Sequence, residues 1–271
     1  MPLGPGYGGR VARGRTAKVL TTRFGNGGGR VLDEVIVEEP LSIRLDDHLV
    51  STTMRTPGHD FELAAGFCFT EGLLAGAPVT TCRYCGTGSA VDTEFNVVSV
   101  ETGGRAPVPT PRLGTTTSSC GLCGSASIDD LAERLEPLTD GHQFDLALLA
   151  SIPDRMRDAQ PLFASTGSVH AAAAFDESGA TLVLREDVGR HNAVDKVVGR
   201  LLLDGGLPAS ALGLYVSGRA SFEIVQKAWA AGFGTIVAVS APTSLAVDTA
   251  RRAGIVLTGF VRDGRLNRYT P

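Results

Sequence analysis

The chain has 271 residues, of which 43% are hydrophobic and 20% charged, and its formal net charge is −4. A chain of this length forms one large domain or two smaller ones, with a core that needs no disulfide bridges. The small negative charge does not favour nucleic-acid binding, and no apolar run is long enough to cross a bilayer. The five cysteines and the lack of an apolar leader segment lead us to expect a soluble, cytoplasmic protein with reduced thiols.

Glycine and arginine dominate the start of the chain. Residues 1–30 hold nine glycines, six basic residues and no acid. Such a segment buries little apolar surface, so we expect a disordered tail there. After it, β-branched alternation predicts strands, and helical spacing of apolar residues predicts a helix over 59–74, with Cys68 buried on it. The predicted strands are 31–40, 41–54 and 94–101. We therefore expect a small β-rich N-terminal domain over 31–143.

A long loop is predicted to interrupt this domain. Thirteen of the 18 residues from Thr102 to Ser119 are Thr, Ser, Gly or Pro, which is typical of a mobile loop, here over 102–124. It ends in "CGLC", with Cys120 and Cys123. With "CRYC" at 82–85 these thiols could form a four-cysteine zinc site, and alone they could act as a redox dithiol or as a nucleophile. The spacing leaves all three open.

The second half has a clearer pattern. "SVHAAAAF" and "ATLVLRED" flank "DESG", which predicts a β-hairpin. An amphipathic helix over 192–206 follows, and then uniformly apolar strands alternate with amphipathic helices. That alternation is typical of a buried parallel sheet with right-handed crossovers. We therefore expect an α/β domain over 144–271, and α+β organisation for the chain as a whole.

The loops that leave parallel strands share one edge of the sheet, where ligands usually bind. The predicted loops are 217–221, 240–244 and 260–265. Together with the helix start in 185–196 they place hydroxyl, arginine and helix-start residues at this edge, a combination that suits a phosphate or pyrophosphate. The candidates are Arg190, His191, Ser217, Arg219, Ser240, Thr243, Arg262 and Arg265. Alternatively, the serines are plain helix caps and the arginines are solvated.

Two acidic residues of "EDVGRHNAVDK" also have structural interpretations. Asp187 fits a turn or cap position, and Asp195 with Lys196 fits the exposed face of the helix. Of His170, Asp187, His191 and Asp195, only His191, at the helix start, is expected to contact a ligand.

Several long motifs together resemble the FdhD family, the accessory sulfurtransferases of formate dehydrogenase. They are "TPGHDFELAAGFCFTEGLL", "SSCGLCGSASI", "TGSVHAAAAF", "EDVGRHNAVDKVVGRLL", "SGRASFEIVQKAW", "SAPTSLAVDTA" and "GFVRDGRLNRYT". The resemblance runs from about residue 30 to the C-terminus.

The resemblance implies a sulfur carrier between a cysteine desulfurase and the bis(molybdopterin guanine dinucleotide) molybdenum cofactor of formate dehydrogenase. Cys120 would hold the persulfide sulfur, with Cys123 assisting. The GDP-like guanine nucleotide end of the cofactor would contact Phe260, Val261, Arg262, Asp263, Gly264 and Arg265. The resemblance also implies a cytidine-deaminase-like three-layer α/β/α domain and a homodimer. From the charge and the lack of a long apolar run, we expect no nucleic-acid or membrane partner.

Two features depart from these patterns. The deaminase signature H-x-E is absent, because Ala172 follows His170 where the glutamate would stand. Zinc deaminase chemistry is therefore disfavoured. The "CRYC" pair is not part of the family pattern, so a zinc-stabilised guanine-nucleotide-binding regulator stays open, as does a cofactor chaperone that handles no sulfur.

Overall fold

The computed structural model describes residues 14–25, 28–85, 89–109, 135–139 and 141–271. Its first element is an antiparallel hairpin of β1 (Thr16–Arg23) and β2 (Gly29–Ile36). The prediction of a disordered tail is therefore wrong for residues 16–23. The threonine, valine and leucine side chains of this segment favour a strand, and β2 supplies its backbone partners despite the glycines between them.

Four strands form the sheet of the N-terminal half. They are β3 (Glu39–Leu45), β4 (His48–Arg55), β5 (Thr81–Tyr84) and β6 (Val97–Glu101), in the order β4-β3-β6-β5. The sequence predicts a single strand over 41–54. This prediction is wrong, because the segment forms two antiparallel strands, β3 and β4. Asp46 and Asp47 have φ angles of 43° and 66° and turn the chain back on itself.

Helix α1 (Asp60–Thr70) packs on this sheet and against the second half of the chain. A Cβ atom at Gly66 would lie 1.9 Å from the carbonyl oxygen of Asp195, and one at Gly199 would lie 1.8 Å from that of Glu62. The backbones of α1 and of the helix that carries Asp195 therefore touch, and only glycine fits at the two contact points.

The second half alternates helices and strands. The helices are α2 (Leu146–Arg157), α3 (Pro161–Thr166), α4 (Arg190–Leu203), α5 (Phe222–Ala231) and α6 (Ser244–Ala253). The strands are β7 (His170–Phe175), β8 (Thr181–Asp187), β9 (Gly213–Val216), β10 (Thr235–Ala238), β11 (Val256–Arg262) and β12 (Arg265–Arg268).

These strands form one mixed sheet in the order β12-β11-β10-β9-β7-β8. β9, β10 and β11 are parallel, as the sequence predicts, whereas β7, β8 and β12 run antiparallel to their neighbours. Ala172 and Ala174 of β7 pack with the helices α4, α5 and α6, and Ala171 and Ala173 pack with α2. Because successive residues of a strand face opposite sides, the helices cover both faces of the sheet.

The segment after β11, which the sequence predicts to be a loop, forms a hairpin with β12. Asp263 and Gly264, with φ angles of 51° and 68°, form the two-residue turn between Arg262 and Arg265. Two consecutive residues in the left-handed region give the turn whose twist matches antiparallel strands. The prediction of a loop over 260–265 is therefore wrong, and Arg262 and Arg265 face each other across the hairpin.

Candidate functional site

The loops that follow β9 and β10 and the C-terminal part of β11 lie side by side at one edge of the sheet. The backbone N–H of Ser240 donates to the carbonyl of Gly218 over 3.3 Å, and that of Thr243 donates to Ala220 over 3.0 Å. The N–H of Phe260 donates to the carbonyl of Ser240 over 3.2 Å. The sequence-derived candidates on these three segments therefore share one surface.

Two of the hydroxyl groups on this surface form hydrogen bonds with the backbone. Oγ of Ser217 accepts a hydrogen bond from the N–H of Ala171 over 2.8 Å, so it is committed to β7. Thr243 caps α6 by accepting from the N–H of Ala246 over 3.2 Å. The hydroxyl groups of these two residues therefore have a structural role, because each accepts a hydrogen bond from a backbone N–H group.

A basic cluster lies next to the β9 loop. A Cβ atom at Gly218 would lie 3.3 Å from Nδ1 of His170 and 3.8 Å from Cδ of Arg190, so the loop passes closely over both side chains. Burial lowers the pKa of His170, and the charges of Arg190 and Arg219 lower it further, against the opposing effect of Asp187. The imidazole is therefore held neutral in a positive field, which suits an anionic ligand.

His191 is the second residue of α4, and its ring points toward the start of α5. Its Nε2 atom lies 3.3 Å from Oγ of Ser221 and 3.7 Å from Oε2 of Glu223. Burial disfavours the ionised Glu223 carboxyl, but the Ser221 hydrogen bond and the charges of His191 and Arg190 lower its pKa overall. The carboxylate therefore fixes the imidazole between two helix N-termini.

A buried charge network holds the start of α4 in place. The Asp187 carboxylate accepts from the N–H groups of Gly189 and Thr56 over 2.8 and 3.1 Å, and from the side chains of Asn192 and Lys196 over 3.0 and 2.6 Å. Asp187 does shape the turn, as the sequence suggests. Its contacts with the segment after β4 also fix the position of Arg190 and His191 relative to the N-terminal half.

Asp195 and Lys196 are not on an exposed face, so that prediction is wrong. Both are buried, because α1 and the segment after β4 cover this side of α4. Asp195 lies 3.0 Å from Nζ of Lys227 and accepts from Thr70 over 2.8 Å, while Lys227 also pairs with Glu71 at 3.1 Å. Burial raises the pKa of Asp195 to about 6, although Lys227 opposes this. The local sequence pattern contains no signal for partners so far along the chain.

The β11–β12 hairpin offers an aromatic ring and exposed polar groups. Phe260 is 43% exposed and has a φ angle of 53°, which turns its ring out of the sheet. Arg262, Asp263, Gly264 and Arg265 are all exposed. Val261 points to the opposite side from Phe260 and is fully buried in the core that faces α2. Its side chain is therefore not available to a ligand, contrary to the expectation from the resemblance.

The described cysteines do not look like sulfur carriers. Cys68 is fully buried on α1, as predicted, and burial raises the pKa of its thiol. Burial also raises the pKa of Cys82 to about 11, and Cys85 is buried with Sγ 3.2 Å from Oγ1 of Thr93. Thiols with raised pKa values are poor nucleophiles at neutral pH.

Cys120 and Cys123 lie outside the described residues, as does the predicted mobile loop from residue 110 onward. Within the described part of the chain, no three His, Cys, Asp or Glu side chains are grouped as metal ligands. The same part contains no helix with the length and apolarity needed to cross a membrane.

Comparisons with known proteins agree with this fold. The sequence model of the FdhD/NarQ family matches residues 36–271. The sulfur carrier protein FdhD of Streptomyces avermitilis is 48% identical over 270 residues, covering 96% of this chain and 94% of its own. That of Mycolicibacterium paratuberculosis is 47% identical over 245 residues, covering 88% and 90%.

A solved structure shares the whole architecture. The crystal structure of a Desulfotalea psychrophila protein, named as a formate dehydrogenase accessory protein, superposes with a TM-score of 0.74 at 26% identity. The match covers 95% of this chain and 98% of that one. From the family match and the relatives along nearly the whole chain, we conclude that this chain belongs to the FdhD/NarQ family.

Proposed function

We propose that this protein is a sulfurtransferase that carries sulfur from a cysteine desulfurase to the molybdenum cofactor of formate dehydrogenase. The observation that carries the proposal is the near-full-length match to relatives named sulfur carrier protein, at 48% identity. The named role of the Desulfotalea protein, accessory to formate dehydrogenase, supports that enzyme as the client.

The properties of the described thiols support Cys120 as the carrier. Of the five cysteines, Cys68 and Cys85 are buried and Cys82 has a raised pKa. The remaining pair, Cys120 and Cys123, is flanked by glycines, which allow a second protein to approach the sulfur atoms closely.

The loading step is a thiol exchange through sulfur. The Cys120 thiolate attacks the terminal sulfur of the desulfurase persulfide, a new S–S bond forms on Cys120, and the desulfurase cysteine leaves as a thiolate. No external oxidant or reductant is needed for loading. In the delivery step, the Cys123 thiolate attacks the Cys120 sulfur, a Cys120–Cys123 disulfide forms, and the terminal sulfur leaves as hydrosulfide for the bound cofactor. A cellular thiol then reduces the disulfide by exchange before the next round.

The edge of the six-stranded sheet supports the binding of the cofactor as substrate. The neutral His170 between Arg190 and Arg219, and the N-termini of α4 and α5, suit the pyrophosphate. The exposed ring of Phe260 suits stacking on the guanine of a bis(molybdopterin guanine dinucleotide) cofactor. Helices on both faces of a mixed sheet are compatible with a deaminase-like arrangement of this half.

The test is the intact mass of the protein after incubation with a cysteine desulfurase and cysteine. We expect wild type to gain the mass of one sulfur atom, which a reducing agent removes, and Cys120→Ala to gain none. Cys82→Ala is the matched control and should load as wild type does.

Two results would contradict the proposal. One is an unloaded wild-type protein that contains a stoichiometric zinc ion lost in both Cys82→Ala and Cys120→Ala, which would favour the zinc-stabilised regulator. The other is full formate dehydrogenase activity in cells that carry Cys120→Ala, which would favour a chaperone that handles no sulfur.

A further inference from the structure

The β1–β2 hairpin leaves apolar side chains uncovered on both faces. Leu20 and Leu32 lie opposite each other and are 59% and 64% exposed, and Val19 on the other face is 45% exposed. A two-stranded hairpin is marginally stable in water unless something packs on it. The short helix α3 packs against β2, but it leaves these three side chains exposed.

The open edge of β2 can receive another strand. Among the described strands, β2 pairs with β1 alone. An exposed strand edge of eight residues is a template for pairing with another chain.

We propose that β2 pairs antiparallel with β2 of a second copy of this chain, giving a four-stranded β1-β2-β2-β1 sheet across a two-fold axis. The resemblance to the family implies a homodimer without assigning its surface. This inference assigns the surface, and it does not depend on the proposed sulfur transfer.

Symmetry restricts the register of such a pair. In an antiparallel pair, residues that lie directly opposite each other point to the same face of the sheet. A two-fold axis perpendicular to the sheet keeps each side chain on its face, so the axis has to pass through a residue of β2 and not between two residues. An axis at Asp33 would place two carboxylates directly opposite each other, which is unfavourable. An axis at Val31 would place Arg30 opposite Leu32. An axis at Leu32 places Arg30 opposite the partner's Glu34, and Glu34 opposite the partner's Arg30.

The Leu32 register also continues the existing rows of side chains. Lys18 already lies opposite Glu34 within the hairpin, so the partner's Arg30 extends a row of alternating charge. Leu20 and Leu32 join with the partner's Leu32 and the partner's Leu20 in one apolar stripe. The other edge has no such match, because β1 carries Lys18 and Arg23 but no acidic residue.

Charge reversal tests both the partner and the register. Arg30→Glu and Glu34→Arg each place like charges opposite each other twice in the dimer. We expect each single variant to raise the dimer dissociation constant roughly tenfold or more, and the double variant to restore it. Sedimentation equilibrium of the full chain measures the constant. Arg23→Glu, the same reversal at an exposed position outside the pairing, is the matched control and should dimerise as wild type does.

Cross-linking gives a second readout that does not depend on affinity. Leu32→Cys places two thiols opposite each other across the axis, so we expect a disulfide-linked dimer above the wild-type background. Leu20→Cys, three strand spacings apart in the dimer, should not cross-link. A monomeric wild-type protein, a dimer insensitive to both single reversals, or a double variant that stays as weak as the singles would overturn the proposal.

Discussion

Nζ of Lys196 lies 2.6 Å from Oδ2 of Asp187, and both side chains are completely buried. Lys196 also donates to the carbonyl of Thr56 over 2.9 Å, and Asp187 accepts from the N–H of the same residue. The pair thus connects the segment after β4 to the end of β8, through Asp187, and to α4, through Lys196. Its charges compensate each other, so losing one is more costly than losing both.

The first prediction follows from this compensation. Lys196→Met leaves the Asp187 carboxylate buried without its cation, and we expect it to lower the free energy of unfolding by about 3–5 kcal/mol. The double variant Asp187→Asn/Lys196→Met should lose less than Lys196→Met alone. Urea denaturation measures both, with Arg200→Met as a control on the exposed side of α4. Equal or greater loss in the double variant would contradict this account.

The second prediction concerns acid stability. The Glu62 carboxylate pairs with Arg185 at 2.5 Å. Burial alone would raise the pKa of Glu62, but the Arg185 and His59 interactions lower it to about 2. Because the pKa is lower in the folded state, the ionised form stabilises the fold above about pH 4.5, and this contribution is lost as the pH falls toward 2.

We therefore expect Glu62→Gln to be less stable than wild type at pH 7 and the difference to shrink steadily below pH 4.5. Chemical denaturation across pH 2–8 measures it. Glu177→Gln, at an exposed turn, should differ little from wild type throughout. A stability difference for Glu62→Gln that is constant with pH would show that the lost packing, not the charge, is responsible.

The third prediction tests guanine recognition by the β11–β12 hairpin. Stacking of a base on an aromatic ring contributes about 1–3 kcal/mol, so we expect Phe260→Ala to weaken GDP binding by roughly 5- to 150-fold. Isothermal titration calorimetry measures the affinity. Phe163→Ala, which removes a ring 47% exposed on α3, is the matched control. Equal weakening in both variants would remove Phe260 from the site.

The fourth prediction concerns the contact of α1 with α4. A methyl group at Gly66 would overlap the carbonyl oxygen of Asp195, so the helices must separate and the buried Thr70–Asp195 hydrogen bond must lengthen. We expect Gly66→Ala to cost about 3 kcal/mol or more of unfolding free energy. Gly206→Ala, where the added Cβ meets Leu201 at an ordinary 3.5 Å, should cost little in the same thermal or urea denaturation experiment.

Local patterns in the sequence predict most of the second half correctly. The hairpin around "DESG", the helix that includes Val194 to Leu202, and the parallel strands β9 to β11 all have strong periodicity. Each of these elements has its own periodic pattern of apolar side chains, so a short stretch of sequence is enough to predict it.

Features that depend on distant partners could not be predicted this way. The exposed-face assignment of Asp195 and Lys196 was reasonable for an isolated helix, but α1 and the segment after β4, more than a hundred residues away, bury both. The turn at Asp46 and Asp47 and the turn at Asp263 require left-handed backbone at residues other than glycine. Such conformations are imposed by strand pairing, and the residue types alone give only a weak indication of them.

The contact between Gly66 and Gly199 has a consequence for how this protein can be divided. α4 begins at the basic cluster. On its side that faces α1, Gly199 has no side chain, which leaves a groove where the backbone of α1 packs directly against the backbone of α4. A fragment that starts after the N-terminal sheet and α1 would present this groove to water. It would also remove Thr70, Thr56 and Glu71, the partners of Asp195, Lys196 and Lys227. Any attempt to transfer the second half of the chain to another scaffold must therefore include a helix equivalent to α1.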